Sequence, residues 1–359
     1  MELNFLLKMP SEKQQRIRYL DGLRGIAIIM VLMCHTFSRW PEYIPWVTDH
    51  AHFTLFKYGG FGVALFFIIS GFVINMTIEN SSSFFLFIFK RWLRLFPAIF
   101  LATILIFISA SFLHERPAGA PNLKDLIPGL TLIQPELLQI IFDTKFTGLE
   151  GAFWSLYVEV KFYLIYGIIY FVKRDKSIHI LLAIFFSSIL CKTLIHLEMI
   201  PPDGVIQKII FIFLSAQYFG WFCIGIMLNS AKKMKKNLYI LYAIALMPPS
   251  IALMFGLDFS GFIFGALVFF IFFCSVFIKK SRYIFECRLL LLFGFISYPL
   301  YLIHENAIVS LTMKTHSYIE WLPGILTPFP GLFALVLVSF LIAKYAEPAL
   351  RVKLTHKEL

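Results

Sequence analysis

The first apolar stretch of the sequence carries two ionisable side chains, Arg24 and His35, separated by eleven positions. At about 100° per residue, eleven steps of an α-helix bring both side chains onto nearly one face, about 16 Å apart along the axis. A histidine can accept or donate a proton close to neutral pH. This helix therefore offers a proton-transfer group near one end and a cation near the other. The structural alternative is a snorkelling arginine and a hydrogen-bonded interior histidine.

Two further apolar stretches carry ionisable residues at a matching depth. Glu159 lies in GAFWSLYVEVKFYLIY, shortly after Trp154 and Ser155, and His304 lies in ISYPLYLIHENAI. At about 1.5 Å rise per residue, Glu159 and His304 fall at a depth similar to that of His35. Ionisable groups inside membrane spans are costly, so they indicate function unless each is satisfied separately by structural hydrogen bonds. Their agreement in depth predicts a shared polar cavity.

The segment FKRWLRLFP places Arg91 and Arg94 three positions apart, which puts both on one face of a helix. This pair is either an anchor at the cytoplasmic side or a clamp for phosphate, which guanidinium geometry suits. Ser70, in GVALFFIISGFVI, lacks the strand–turn–helix context of a nucleophilic serine. We expect it to line a cavity or to support close packing through the adjacent Gly71.

The composition defines the class of protein that must position these side chains. The chain has 359 residues, of which 59% are hydrophobic and 15% are charged, and its mean hydropathy is +0.80. Soluble domains average about 45–50% apolar and about 25% charged residues. The composition excludes soluble domains, intrinsic disorder, a collagen-like rod and a disulfide scaffold, which leaves an integral membrane protein.

Cysteine and histidine patterns do not indicate a metal site. Four of the five cysteines fall in apolar stretches and none forms a paired motif, so neither a disulfide framework nor a zinc site is predicted. His50 and His52 form a single His-x-His pair, which is common by chance.

Ten stretches are apolar and long enough to span a bilayer, which requires about 20 residues for a helix. The predicted fold is therefore an all-α integral membrane protein with about ten transmembrane helices. The N-terminal apolar run is entered through Asp21 and Arg24 and is not followed by a small-x-small cleavage site, so it is interpreted as a retained first span. The predicted spans cover residues 20–38, 59–78, 94–113, 152–172, 178–197, 209–229, 238–256, 260–278, 289–311 and 325–346.

The basic residues alternate between the loops. Of the 32 lysines and arginines, 22 fall in one set of loops that includes both termini, and 7 fall in the other set. Because cytoplasmic loops are enriched in lysine and arginine, we expect residues 1–18 and 347–359 to be cytoplasmic and residues 19–346 to form the transmembrane domain. The longest external loop, about 114–151, is a candidate lid or substrate-facing segment. The net charge of +11 then belongs to the loops beside the membrane and predicts no nucleic-acid partner.

With these motifs in order along most of its length, the chain resembles acyltransferase family 3, the membrane O-acyltransferases of surface polysaccharides and related glycans. RYLDGLRGIAIIMVLMCH resembles the first-span signature of the family, in which Arg24 and His35 match the arginine and the histidine. The chain departs from the family at Val160-Lys161, where Glu-Gln is common, and at Glu305, where tryptophan frequently follows the histidine. Further segments that resemble family motifs are GVALFFIISGFVI, KRWLRLFP, FWSLYVEVKFYLIY, ISYPLYLIHENAI and AEPAL.

The resemblance implies an enzyme that moves an acyl group, usually acetyl, from cytosolic acyl-CoA to a hydroxyl of an extracytoplasmic or lipid-linked glycan. Acetyl-CoA would be the donor substrate, and no metal would be needed. Arg91 and Arg94 would bind the donor phosphates. The partners would be acyl-CoA, the glycan acceptor and the lipid bilayer of the cell (inner) membrane, which the chain would cross many times. Assembly into a homo-oligomer is left open.

The resemblance also places His35 where the thioester and the acceptor hydroxyl meet. As a general base, His35 would take the hydroxyl proton during direct transfer; as a nucleophile, it would form an acyl-imidazole. Glu159 would orient and stabilise the imidazole, as a carboxylate does in a triad, and His304 would do the same or bind the acceptor. Supporting or acceptor-binding roles would fall to Asp21, Arg24, Ser70, Trp154, Ser155 and His304.

Two other interpretations fit the same sequence. A polytopic transporter or flippase for a glycan or lipid precursor would suit ten spans with a polar cluster at mid-depth, although no inverted repeat is visible. A partner subunit that had lost activity would not be expected to keep Arg24, His35 and Glu159. Turnover of acetyl-CoA by the purified protein would distinguish an enzyme from a transporter and from an inactive partner subunit.

Overall fold

The computed structural model describes residues 17–49 and 54–356. Within these residues the chain is helical and contains no β-strand, which confirms the predicted all-α class. The predicted His50/His52 pair, most of the predicted segment 1–18 and the last three residues of the predicted tail lie outside the described residues.

Helices of ten or more residues in the described part of the chain are numbered in order. They are α1 (Arg18–Phe37), α2 (Phe61–Glu79), α3 (Phe84–Ser109), α4 (Trp154–Val172), α5 (Ser177–His196), α6 (Phe219–Met234), α7 (Leu238–Phe255), α8 (Phe259–Phe277), α9 (Arg288–Ile303), α10 (Glu305–Tyr318), α11 (Pro328–Leu341) and α12 (Glu347–His356). Shorter helical pieces include Pro45–Thr48, Leu126–Thr131, Pro135–Phe142, Val205–Gln207, Arg282–Phe285 and the π-helical turns Lys208–Phe213 and Ile342–Ala346.

The helices account for the predicted number of spans. Eight helical segments of the described chain are long and apolar enough to cross a membrane, and the number reaches ten if each of two bent pairs is one span. One pair joins Val205–Phe213 to Ala216–Met234 at 50°, and the other joins Lys279–Phe285 to Arg288–Ile303 at 71°. The bends mark two places where continuous apolar sequence does not form a straight helix.

The third span begins earlier than its predicted start at residue 94. Helix α3 starts at Phe84, after Ser83, whose hydroxyl oxygen accepts the Leu86 N–H at 3.2 Å as an N-cap. Arg91 and Arg94 therefore lie inside the helix and not in a loop before it. Their side chains are directed by a rigid element, which matters for the site described below.

The predicted ninth span also differs from the helices. The predicted ninth span, 289–311, is divided at His304, where α9 ends and α10 begins. Helical structure also runs from Gly324 to Thr355 over 32 residues, and α12 begins within it at Glu347.

Close backbone contacts hold the centre of the bundle together. Helix α1 packs against α2 and α9, and α2 packs against α6. A Cβ atom on Gly25 of α1 or on Gly294 of α9 would collide with the backbone of the other helix, and the same holds for Gly71 of α2 and Gly225 of α6. These glycines let helices approach closely, as predicted for Gly71.

The predicted loop 114–151 closes one end of the bundle. It contains two short helices and docks onto α10 through several polar contacts. The Ala118 N–H donates to Asn306 Oδ1 at 2.8 Å, and Lys314 Nζ pairs with Glu115 Oε1 at 2.9 Å. The segment is therefore a folded cover over this end of the bundle, and a cavity lies beneath it.

Candidate active site

Two histidines from separate helices meet beneath this cover. His35 lies in the last turn of α1, and His304 lies at the junction of α9 and α10. His35 Nδ1 is 2.8 Å from His304 Nε2, and the two rings are parallel to within 9° with centroids 4.9 Å apart. His304 is fully buried, whereas His35 keeps part of its surface accessible. We call these residues the histidine pair.

The hydrogen bonds of the histidine pair assign a proton to one nitrogen of each ring. His304 Nδ1 lies 2.9 Å from the carbonyl oxygen of Tyr301, and a carbonyl can only accept, so His304 Nδ1 is the donor. In a neutral imidazole the other nitrogen is then an acceptor, and His35 donates its Nδ1–H to it. His35 Nε2 consequently keeps its lone pair, and it is the atom that can take a proton or attack a carbonyl carbon.

The break between α9 and α10 makes this arrangement available. A helical N–H bonds the carbonyl four residues earlier, so ending α9 at Ile303 leaves carbonyls of the last turn without helical partners. One of them, that of Tyr301, accepts the His304 proton. The backbone thereby sets the tautomer of His304, which in turn sets that of His35.

A second polar group lies deeper in the bundle, between α2 and α4. Ser70 donates to Glu159 Oε1 at 2.6 Å, and the Tyr163 hydroxyl donates to the same oxygen. The hydroxyl oxygens of Ser70 and Tyr163 are 3.0 Å apart. Among the described residues, Glu159 makes no hydrogen bond to His35. The carboxylate that was predicted to orient His35 instead bonds Ser70, and His304 makes the contact that orients His35.

Two arginines of α3 face this group. Arg91 donates to the Thr77 hydroxyl, and its guanidinium carbon lies 5.5 Å from the centroid of the Tyr163 ring. The side chain is largely buried, with 5% of the residue exposed. Arg94, one turn further along α3, interacts electrostatically with Glu159 and Tyr163. The predicted pair thus projects into the bundle towards Glu159.

Arg24 completes a cluster of three arginines. Its Nη1 lies 2.8 Å from Asp21 Oδ1 one turn earlier on α1, and it interacts electrostatically with Arg94. Three guanidinium charges face two carboxylates, Asp21 and Glu159, so the region carries excess positive charge. Arginine side chains in this arrangement suit phosphate oxygens. We call Arg24, Arg91 and Arg94 the arginine cluster.

A cavity of about 540 Å³ lies beneath the 114–151 segment, and its wall includes Glu305 and Asn306, the residues that follow His304. Trp154, at the start of α4, is 36% exposed and lies with its ring 4.9 Å from that of Tyr218 on the cavity wall. Ser155 shares a 2.8 Å hydrogen bond with the Tyr301 hydroxyl, which ties α4 to α9. The structure therefore places Trp154 in the cavity wall and Ser155 in the contact between α4 and α9.

Two buried carboxyl groups on the cavity wall had received no role from the sequence, those of Glu150 and Glu305. The Ala152 N–H donates to Glu305. The backbone N–H and the Nδ2 of Asn306 donate to Glu150 Oε2 at 2.9 and 2.7 Å, and Arg116 lies 3.6 Å from Glu150 Oε1. Burial and then the negative charge of Glu305 raise the pKa of Glu150 to about 8, against the opposing effects of Arg116 and Asn306.

Sequence reasoning missed several partners of the predicted residues. Tyr163 follows Glu159 by four positions on α4, a spacing that places both on one helix face and could have identified it. Tyr301 precedes His304 by three positions, but its carbonyl becomes a partner only because the helix ends there. Thr77 lies in a different helix from Arg91, and nothing in the sequence pattern links the two.

The site combines a proton acceptor, a cationic region and a ligand-sized cavity. Residues 17–49 and 54–356 contain no group of three or more histidine, cysteine, aspartate or glutamate side chains suited to a metal ion. The fold and the site define the class as a polytopic helical membrane protein with a hydrogen-bonded pair of histidines inside the helix bundle. A family described as "Acyltransferase domain" matches residues 17–344. The chain belongs to this acyltransferase family and is a multi-pass membrane protein, and the resemblance in its motifs is confirmed.

Curated relatives match parts of the chain. The O-acetyl transferase of Shigella phage Sf6 is 28% identical over 172 residues, which are 46% of this chain and 50% of that protein. The acyltransferase MdmB of Streptomyces mycarofaciens is 29% identical over 44% of this chain and 40% of its own length. The peptidoglycan O-acetyltransferase OatA of Listeria monocytogenes is 29% identical over 46% and 26%, respectively. The chain spans half or less of the length of these relatives, and no solved structure matches it significantly.

Proposed function

We propose that this protein is a membrane O-acyltransferase that moves an acyl group, acetyl in the first instance, from acyl-CoA to a hydroxyl of a glycan. The observation that carries the proposal is the histidine pair, which leaves His35 Nε2 able to accept a proton in a chain of the acyltransferase family. The arginine cluster and the cavity supply candidate sites for the two substrates. Each substrate would approach His35 from a different direction.

In the proposed reaction, His35 Nε2 takes the proton of the acceptor hydroxyl while the oxygen attacks the thioester carbonyl carbon. The carbon–sulfur bond then breaks, and the CoA thiolate takes the proton from the imidazolium, which yields the ester and free CoA. His304 keeps the reactive nitrogen of His35 unprotonated in the resting state. In the acyl-imidazole alternative, His35 Nε2 attacks the thioester carbonyl carbon and expels the CoA thiolate. The acceptor hydroxyl oxygen then attacks the acyl carbon, the nitrogen–acyl bond breaks, and the hydroxyl proton passes to the thiolate.

The arginine cluster would hold the phosphates of the donor. Arg24 and His35 are about 16 Å apart along α1, and the flexible pantetheine arm of CoA can extend over such a distance. The predicted cytoplasmic loops, which contain most of the basic residues, lie at the arginine end of α1 and α3. We therefore place this end in the cytoplasm, where acyl-CoA is found, with the termini on the same side.

The cavity beneath the 114–151 segment would hold the acceptor. Two of the relatives are named for O-acetyl transfer, and one of these names peptidoglycan as its acceptor, which favours a glycan of the cell envelope. Aromatic and polar side chains share the cavity wall, a mixture typical of small-ligand sites. The enzyme would act in the cell membrane on an acceptor that faces away from the cytoplasm or is lipid-linked.

The proposal is tested by comparing cell-envelope glycans by mass spectrometry in cells that express the wild type or the His35→Ala variant. We expect the mass of one acetyl group to be gained at each modified sugar with the wild type and not with His35→Ala. His179→Ala, a change at an exposed histidine of α5, is the matched control and should acetylate normally. Identical glycan masses in all three strains at equal membrane levels of protein would contradict the proposal.

A transporter or flippase is separated from the enzyme by a second assay. Purified protein with acetyl-CoA and envelope glycan should release free CoA at a rate that depends on His35. A protein that only transports its substrate would leave the thioester intact.

A further inference from the structure

Two short helical pieces close one side of the cavity beneath the 114–151 segment. One is Pro135–Phe142 of the cover, and the other is Val205–Phe213, the first part of the pair of helices that bends by 50°. Both contribute to the cavity wall, through residues 134–136 at the start of the first piece and residues 211–212 at the end of the second. We call Pro135–Phe142 and Val205–Phe213 together the two-piece wall.

The two-piece wall presents a large apolar surface on the outside of the molecule. Within Val205–Phe213 no residue is buried, and within Pro135–Phe142 only Leu138 is buried. An exposed apolar surface of this size marks contact with a membrane or with another protein. Because Val205–Phe213 is part of a membrane span, the surface continues the lipid-facing side of the bundle, so the bilayer is the partner that fits it. Its exposed side chains are Ile140, Ile141, Phe142, Val205, Ile206, Ile209 and Phe213.

A lysine of α4 joins both pieces to the bundle. Lys161 is half-buried, and its ammonium donates to the Ile212 carbonyl at 2.5 Å, to the Ser215 hydroxyl at 3.0 Å and to the Gln134 side chain. An ammonium has three donors, so each of them has an acceptor, and each acceptor is uncharged. Gln134 directly precedes the first piece, whereas Ile212 and Ser215 lie at the end of the second.

The break in the span makes two of these acceptors available. The second piece ends in the π-helical turn Lys208–Phe213, and Ser215 follows with a left-handed backbone, at a φ of 56°. Carbonyl groups at the end of a helix lack helical partners, and the carbonyl of Ile212 receives a proton donor from Lys161. In the described part of the chain, every hydrogen bond from residues 205–215 to another span or to the cover involves Lys161.

Little else holds the two-piece wall against the bundle. Lipid tails are as apolar as the side chains of the wall, so no hydrophobic force drives these side chains out of lipid and onto other helices. A charged ammonium without acceptors is costly inside a span, and Lys161 has its three acceptors only when both pieces are in place. Glu136 of the first piece also interacts electrostatically with Lys161. The position of both pieces is therefore coupled to this one side chain.

We propose that the two-piece wall lies in the bilayer and is a gate between the bilayer and the cavity, and that Lys161 is the positioning residue that holds the gate closed. In the open state, the ammonium exchanges its protein acceptors for water or for a polar group in the cavity. The inference concerns access to the cavity and goes beyond the proposed function, since it holds for any ligand that enters from the bilayer.

Contact with the bilayer is tested on full-length protein in nanodiscs that contain a phosphatidylcholine with a photoactivatable diazirine in its acyl chain. We expect covalent lipid adducts on residues 140–142 and 205–213. Residues 119–124 are the control, because they are mainly exposed in the same cover but lack a cluster of large apolar side chains, and they should carry no adduct. If neither piece carries an adduct, water or a second protein covers this surface and the inference is overturned.

The role of Lys161 is tested by pulsed EPR distances between spin-labelled cysteines in a background without the natural cysteines. Ile168, which is exposed on α4, is the reference position and is paired with Ile140 of the first piece or with Ile209 of the second. In Lys161→Met we expect both distances to gain a population that is longer by about 5 Å or more, one helical turn. Lys161→Arg retains donors and should stay closed, and Gln134→Ala should lengthen only the distance to Ile140.

A matched lysine and a third distance separate the gate from a general loosening of the fold. Lys192 of α5 also donates to a backbone carbonyl, that of Ala252, so Lys192→Met should change no distance. The distance from Ile168 to the exposed Leu190 of α5 should stay constant in every variant. Unchanged distances in Lys161→Met would overturn the inference, as would an equal lengthening of all three. Gate opening in Lys161→Met, in a protein whose wild type releases no CoA, would support the gate and contradict the proposed function.

Discussion

The histidine pair and the arginine cluster use polar groups inside the bundle in opposite ways. The histidine pair is fixed by a relay of hydrogen bonds that begins at a backbone carbonyl and leaves one lone pair free. The arginine cluster concentrates positive charge, which Asp21 and Glu159 offset only in part. The first arrangement defines a reactive atom and the second an electrostatic field. About three helical turns along α1 separate the histidine pair from the arginine cluster. Substitutions in the histidine pair should therefore change the reaction rate, and substitutions in the arginine cluster should change the donor affinity.

Among the variants that act on the reaction through a neighbouring residue, His304→Ala should lower kcat the most. Without the acceptor at its Nδ1, His35 is no longer held in the reactive tautomer, and we expect kcat to fall about 100-fold with donor KM nearly unchanged. His304→Gln, whose side-chain oxygen can accept the same hydrogen bond, should recover part of the loss. His316→Ala is the control, because His316 is also stacked on a ring, that of Trp46. A change in the donor KM without a change in kcat would contradict the role of His304 in orienting His35.

Arg94→Ala should affect the donor side. Removing a charged partner of the CoA phosphates should raise the donor KM by about tenfold or more and make binding less sensitive to salt, with kcat at saturating donor nearly preserved. The matched control is Arg174→Ala, a change at an exposed arginine beside Tyr170. If donor affinity stays at the wild-type level, the arginine cluster has a structural role only.

Ser70→Ala tests the connection between the two regions with a smaller expected effect. Ser70 is one of two hydroxyl donors to Glu159, so its loss should lower activity less than tenfold, in line with about 0.5–1.5 kcal/mol for one hydrogen bond. Tyr163→Phe removes the other donor and should behave alike. Complete loss of transfer in Ser70→Ala, with normal folding, would instead indicate that the serine carries the acyl group.

The smallest effect concerns the stability of the cavity wall. Because the pKa of Glu150 is raised from 4.5 to about 8 in the folded protein, the folded state binds a proton that the unfolded state releases in this range. The free energy of unfolding should therefore fall as pH rises from about 4.5 to 8. Glu150→Gln should flatten this dependence, measured as the thermal midpoint in detergent at several pH values. If the thermal midpoints of the wild type and of Glu150→Gln change with pH in the same way, the raised pKa of Glu150 is contradicted.

The sequence was sufficient to predict that His35 and His304 lie at one level, but not which helix faces meet. Hydropathy and spacing placed His35, Glu159 and His304 at one level, and His35 and His304 do meet. Glu159 was assigned to the imidazole, yet it bonds Ser70. The rotation of each helix is decided by packing such as the glycine contacts of α1 with α9 and of α2 with α6, and one sequence does not reveal such pairings.

The break at His304 could not be predicted for a related reason. The apolar run of residues 289–311 reads as one span, and Pro299 lies inside α9 without ending it. The chain divides where the side chain and the carbonyl of the same turn satisfy each other, and where Glu150 takes the Asn306 N–H at the start of α10. These contacts join segments that are far apart in the sequence.

The most direct test of the account is to measure acetyl-CoA affinity and acyl transfer on the same preparation of His35→Ala. The account predicts a donor dissociation constant within about twofold of the wild type, because the arginine cluster is intact, and a transfer rate at least about 100-fold lower, because the proton acceptor is missing. Transfer at the wild-type rate by a folded His35→Ala protein would contradict the claim that His35 Nε2 performs the chemistry.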